Sequence, residues 1–162
     1  MDTHDTILSR KSIRRYDPSR PITMEQIHQI LNAAMHAPSA RNTRPWDFVV
    51  ITKPEDIRKV GEFVGGPHYE TAQAVIIIIG VPEREAGLCE GNVLNDCGCA
   101  AENILLEAWS MGIGSCICIT CFNLYGGSLA IVSTDMHHPF ENIFAFQQVF
   151  ELGQVPYKDF IP

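Results

Sequence analysis

Between Met24 and Ala34 the apolar side chains Met24, Ile27, Ile30, Leu31 and Ala34 fall three and four residues apart, the spacing of one helix face. Thr23 stands just ahead of this stripe and Gln26 three residues further on, a capping box that fixes where the helix begins. Pro38 sets its far limit, because the residue before a proline avoids the helical region. A second stripe, Leu94, Cys97, Ala101, Ile104, Leu105 and Ala108, predicts a long buried helix over 94–111 that stops at Gly112. Asp5 to Ser9 reads as a short helix or turn. Pro54 with Glu55 and Asp56 opens another helix, closed by Gly65-Gly66-Pro67.

Elsewhere the pattern is that of strands. Trp46 to Thr52 is a short β-rich run, and Gln73 to Val81 holds the unbroken isoleucines Ile76 to Ile79, which mark a central strand covered on both faces. Ser115 to Thr120 and Gln147 to Leu152 are the remaining strand candidates. Helices interleaved with these runs predict an α+β sandwich, a sheet covered by helices. Gly126 to Asn142, with a glycine pair, Pro139 and His137-His138, has no period and reads as a long loop with one short element. No internal repeat is present.

Composition changes this picture little. With 162 residues, 46% apolar and 19% charged, the chain fits one domain over residues 1–162. The net charge of −7 hides an asymmetry: residues 1–60 carry 10 Lys and Arg against 7 Asp and Glu, and residues 61–162 carry 2 against 12. So acidic a body argues against a nucleic-acid partner, which needs many distributed cations. No basic n-region followed by an apolar stretch opens the chain, and the apolar run from Ala74 to Gly80 is far short of the roughly 20 residues of a membrane helix. A soluble, cytoplasmic protein with no membrane partner is therefore expected, its six cysteines mostly reduced thiols.

Candidate chemistry lies in two polar constellations. Arg10-Lys11-Ser12-Ile13-Arg14 offers guanidiniums, an ammonium and a hydroxyl together, a donor set suited to a phosphate dianion. Ala37-Pro38-Ser39-Ala40-Arg41-Asn42, leading into Arg44-Pro45-Trp46, places a hydroxyl and a carboxamide in a turn between helix and strand, where short polar groups meet the edge of a planar heterocycle. Together they suggest a phosphorylated aromatic cofactor. Plainer readings stand beside this one: solvation for Arg14 and Arg15, a capping role for Ser12, and helix-terminating chemistry for Ala-Pro-Ser.

Other motifs carry less. Gly112-Ile113-Gly114 follows a helix instead of a strand and lacks a third glycine, so it fails as a dinucleotide fingerprint. Cys97 and Cys99 lie two apart on a helix, facing about 200° apart, and read as core filler that cannot chelate one ion. Cys116, Cys118 and Cys121 come closer to metal or redox spacing, but no His or Cys partner stands at a fixed spacing from them, so no metal is expected. No Ser-His-Asp set or carboxylate pair singles out a catalytic side chain.

Three blocks, Ile7 to Tyr16, Ala33 to Val50, and Asp96 to Ala108 followed by Met111-Gly112-Ile113-Gly114-Ser115, resemble the FMN-dependent nitroreductase family in the family's order. The similarity runs over roughly residues 5 to 120. Glu151 to Pro156 resembles the family's last core strand, whereas residues 121–148 depart from its pattern.

The resemblance implies a dimeric nitroreductase-like sandwich around a mostly antiparallel sheet. It further implies FMN between the subunits, NADH or NADPH as electron donor, and a nitroaromatic, quinone or related small-molecule acceptor reduced in a ping-pong cycle. On this basis Arg10, Lys11, Ser12 and Arg14 hold the phosphate and ribityl oxygens, and Pro38, Ser39, Ala40 and Asn42 lie against the isoalloxazine ring. Arg44 stands where many relatives have Gln at the pyrimidine edge. Gly114 and Ser115, with Cys116 beside them, bring backbone groups toward the flavin, and Lys158 is the remaining basic candidate for the phosphate. Two alternatives stay open: a flavin-binding or thiol redox protein without this turnover, and a specialised flavin enzyme on the same fold.

Overall fold

A computed structural model describes residues 2–65, 67–85, 87, 92–118, 121–124 and 127–131. Helix α1 spans Thr3–Ser9, α2 Met24–Met35, α3 Pro54–Val64 and α4 Asn92–Ser110, and the strands are β1 Trp46–Ile51, β2 Val75–Gly80, β3 Cys121–Leu124 and β4 Gly127–Ile131. The four strands form an antiparallel sheet in the order β1-β2-β4-β3. The isoleucine strand β2 is thus internal, with Ile78 opposite Phe48 on one side and opposite Ala130 on the other.

Period-two alternation sorts the side chains of β1 and β2 onto two faces. Trp46, Phe48 and Ile78 pack with Ile27, Leu31 and Ala34 of α2 and with Cys97, Ala100 and Ile104 of α4. Val49, Ile51, Val75 and Ile77 point the other way, onto Ile57 and Val60 of α3 and Tyr69. A sandwich follows, α2 and α4 on one face and α3 on the other. Each fully buried Ile or Leu contributes about 1.5–3 kcal/mol, and the longest helix, α4, lies in the core because its apolar face runs Val93, Cys97, Ala100, Ala101, Ile104, Leu105 and Ala108.

The helix ends obey the signals in the chain. Thr23 accepts from the Gln26 N–H, and the Gln26 side chain accepts from the Thr23 N–H at 2.9 Å, so both halves of the box are made. Pro54 opens α3, and Gly65 at φ 83° ends it. Gly112, at φ 74°, turns the chain after α4, a conformation glycine adopts without a Cβ penalty.

Several expectations need correction. Met24 and Leu94 are exposed: Met24 is the first residue of α2, beyond the layer it would pack on, and the apolar face of α4 begins at Val93. Cys99 is exposed while Cys97 is core, so only one of that pair is filler. Residues 115–118 form no strand, since the Ser115 carbonyl accepts from the Ile13 N–H at 2.9 Å and is engaged by the basic loop. The next strand starts at Cys121, and β4 is a short element within 126–142, where one was expected. The expected strand at 147–152, the family-like segment 151–156, His137-His138 and Lys158 lie outside the described residues.

Candidate functional site

The basic loop leaves α1 at Arg10, whose N–H closes the helix on Thr6. Its side chain reaches α4, where Arg10 Nε lies 3.3 Å from Glu102 Oε1. That contact is an ion pair without hydrogen-bond geometry, so Nε is buried with its proton unpaired. Ser12 is half-buried, and Lys11 and Arg14 are exposed. Ile13 seals the loop to the turn after α4: a Cβ on Gly114 would meet Ile13 Cβ at 2.9 Å, so only glycine allows this approach. The structure therefore brings Arg10 to Arg14 together with Gly114 and Ser115.

The Ser39–Arg44 loop is tied down at other points of the fold. Ser39 Oγ accepts from the Arg44 N–H at 2.9 Å, and Asn42 Oδ1 accepts from Arg44 Nε at 3.1 Å. Arg41, Asn42 and Arg44 take φ of 50°, 57° and 48°. Non-glycine residues adopt this left-handed region at a cost of about 1–3 kcal/mol each, and such strain gathers at functional sites. Three side chains from outside, Asp96, Glu85 and Arg84, hold the loop and its exit. Ala40 N–H donates to Asp96 Oδ2 at 2.8 Å, Thr43 Oγ1 to Glu85 Oε1 at 3.3 Å, and Arg84 Nη1 to the carbonyls of Arg44 at 3.2 Å and Trp46 at 2.8 Å. Pro38 and Asn42 are exposed; Ser39, Ala40 and Arg44 are half-buried.

Both constellations use α4 as their anchor, one at Asp96 and the other at Glu102. Those six residues amount to about 9 Å of rise and about 120° of rotation, so one chain sets the two groups on different faces of the same helix.

Sequence reasoning passed over three features. Glu85 and Asp96 are buried acids, 6% and 8% exposed. Burial, and then the hydrogen bond and charge of Asp96, push the Glu85 carboxyl above its ordinary value. Asp96 showed a signal, since it falls on the apolar stripe of α4 three residues after Val93; Glu85, in a Pro-led turn of charged residues, showed none. The third is His68, buried with Nε2 3.2 Å from Cys118 Sγ and its ring 4.5 Å from that of Tyr69.

Near this pair a cavity of about 330 Å³ opens between the basic loop, α2 and the end of α4, lined by Ile13, Tyr16, Ile30, His68, Gln73 and Met111 among others. Burial raises the Tyr16 phenol there to about 12. Among the described residues, the expected cofactor contacts that line the cavity are Gly114, Ser115 and Cys116. Among the described residues no group of three metal-ligating side chains comes together, and no helix is long and apolar enough to cross a membrane.

Comparisons with known proteins agree with this architecture. The nitroreductase family model matches residues 7–86. A protein of Archaeoglobus fulgidus, provisionally named NADH dehydrogenase/NAD(P)H nitroreductase, is 43% identical over 110 residues, 67% of this chain and 62% of its own. The chain thus spans about 60% of the length of the curated relatives it matches first. Among solved structures, a provisionally named NADH oxidase of Clostridium acetobutylicum superposes with a TM-score of 0.67 at 27% identity, over 85% of this chain and 95% of that one. A provisionally named nitroreductase of Desulfovibrio desulfuricans, solved in complex with FMN, gives 0.59 at 28% identity, over 71% of this chain and 67% of its own. The protein belongs to the nitroreductase family.

Proposed function

We propose that the protein is an FMN-dependent oxidoreductase that uses NADH or NADPH to reduce nitroaromatic, quinone or related acceptors. The observation that carries the reading is the buried Nε of Arg10, which faces Glu102 at 3.3 Å but makes no hydrogen bond, in a basic loop locked by Ile13 onto Gly114. A buried donor without a hydrogen bond costs about 1–3 kcal/mol, and a phosphate oxygen beside Arg10 supplies one. The donor set thus fits FMN.

When bound, FMN supplies the ring that takes hydride from a nicotinamide nucleotide and passes reducing equivalents to a second substrate in a ping-pong cycle. The residues of this chain bind and orient. Arg10, Ser12 and Arg14, with Lys11 at the rim, neutralise the phosphate. Ser39, Ala40, Asn42 and Arg44 present short polar groups and backbone to the ring edge from a loop already strained into shape, with Pro38 fixing its entry. Gly114 and Ser115 offer backbone at the ring, and Lys158 is a further phosphate candidate. No protein side chain is assigned as an acid or base, since positioning and electrostatics are what this chemistry asks of the protein.

A homodimer completes the site in this reading. The two constellations leave α4 about 120° apart, which suits phosphate and ring being gripped by different subunits, and ligand sites favour interfaces in small domains. Burial of Cys116, 4% exposed, and of Cys118, 0% exposed, speaks against a redox function carried by these two thiols, which would need an accessible thiolate. The test is to load the protein with FMN, desalt it, and add NADH or NADPH without oxygen. Bound flavin that bleaches supports the proposal; flavin that is retained but does not bleach with either nucleotide contradicts it.

A further inference from the structure

Glu85 and Asp96 have no part in the binding scheme above, and their geometry is that of two carboxyls with too few donors. Asp96 Oδ2 is satisfied by the Ala40 N–H, and Glu85 Oε1 faces the Thr43 hydroxyl. The Val93 backbone also supports the Glu85 carboxyl, yet Glu85 Oε2 is buried without a hydrogen bond. The Thr43 hydroxyl also lies 2.9 Å from the Ala40 carbonyl, so its single proton cannot serve both acceptors fully. Two ionised carboxylates at hydrogen-bonding range would repel and leave an unsatisfied charge in the interior. One proton between them removes both penalties: an acid on Glu85 Oε2 donates to the Asp96 carboxylate.

We propose that Glu85 and Asp96 are positioning residues that share one proton across their buried contact and so hold the Ser39–Arg44 loop in its strained form against the flavin. The flavin half of this statement rests on the cofactor reading above; the latch itself does not. Strain at Arg41, Asn42 and Arg44 persists only where surrounding structure over-determines it, and the pair fixes the loop at Ala40 and at Thr43 from two separate elements. The surroundings favour a shared proton. From α4 the pair is faced by the Cys97 thiol, pushed up to about 12 by burial and by these two acids, and therefore un-ionised. The nearby Arg84 directs its guanidinium to Asp47 at 2.8 Å and to the Arg44 and Trp46 carbonyls. Burial and Asp96 raise the Glu85 carboxyl, partly offset by Thr43 and the Val93 backbone.

The Ala40 N–H, donated to Asp96, is the reporter. In the 15N-labelled full chain its amide shift is expected to titrate above the ordinary carboxylate range of about 4. Glu85→Gln supplies a permanent N–H donor in place of the shared proton. It should keep the Ala40 resonance near its wild-type position, abolish the titration, and leave FMN affinity within about threefold. Glu85→Leu should move the resonance and weaken FMN binding at least tenfold. An Ala40 shift that titrates only in the ordinary range, or identically in Glu85→Gln, overturns the latch, and this needs neither FMN nor a folded Leu variant. A displaced Ala40 resonance in Glu85→Leu with unchanged FMN affinity overturns the role toward the flavin. Absence of FMN binding by the wild type overturns the cofactor reading instead, with the Ala40 titration still deciding the latch.

Discussion

The N–H of Ile13 donates to the carbonyl of Ser115 at 2.9 Å, joining the basic loop after α1 to the turn after α4 across about a hundred residues of sequence. The Ile13 side chain rests where Gly114 has no Cβ, so the position of Arg10 and Ser12 depends on the absence of one methyl group.

Gly114→Ala should therefore destabilise the fold by about 1–3 kcal/mol, the range for overpacking a filled site. The clash is with both Ile13 Cβ and Ile13 Cγ2 at 2.9 Å, and a rotamer change cannot move the Cβ, whereas truncation to alanine removes the Cγ2 contact. Thermal unfolding measures the loss. Ile13→Ala in the same chain should recover part of it, whereas additive losses in the double variant would show that the two residues do not meet.

The α2 cap offers a cleaner local test. Thr23→Ala removes the acceptor for the Gln26 N–H and should cost about 1 kcal/mol, while Thr23→Asp should be close to neutral. Urea unfolding reads both; equal losses would mean that the cap hydroxyl contributes nothing.

Stability should also fall toward alkaline pH through Glu85. Its folded-state carboxyl is raised by burial and Asp96, so the folded form holds a proton that the unfolded chain releases near its ordinary value. The contribution is whole below that value and is lost as pH rises through the folded one. Chemical unfolding from pH 5 upward should show a decline in the wild type that Glu85→Gln lacks. Parallel curves would exclude a proton bound at Glu85.

If the subunit interface is built from protein contacts, FMN removal should leave the dimer intact. Light scattering should then give about twice the 18.0 kDa chain mass. A monomeric mass would contradict an interface that exists without cofactor.

What the sequence disclosed, and what it hid, follows from the range of the interactions. The Thr23–Gln26 box, the Ile76–Ile79 run and the stop at Gly112 are encoded by neighbours in the chain, and each proved legible. Met24 and Leu94 misled because a stripe shows which face is apolar but not where the opposing layer ends. Ser115 to Cys118 has strand-like composition, yet the Ser115 carbonyl is taken up by Ile13, a partner a hundred residues away.

The candidate site divides in the same way. Arg10, Ser12, Ser39 and Asn42 stand in short motifs, whereas the Arg10–Glu102 pair and the Glu85–Asp96 contact exist only through folding. The strain at Arg41, Asn42 and Arg44 was invisible as well, since nothing in those residue types demands a positive φ, though Asn tolerates one better than most.

The central claim is that the basic loop grips the phosphate of FMN, and calorimetric titration of the protein with FMN and with riboflavin, which lacks that phosphate, tests it most directly. FMN should bind at least tenfold more tightly than riboflavin, and Arg10→Ala should remove most of the difference, a charge-assisted contact being worth about 1.5–3 kcal/mol. Equal affinities for the two flavins, or an FMN preference that survives Arg10→Ala unchanged, would contradict the account.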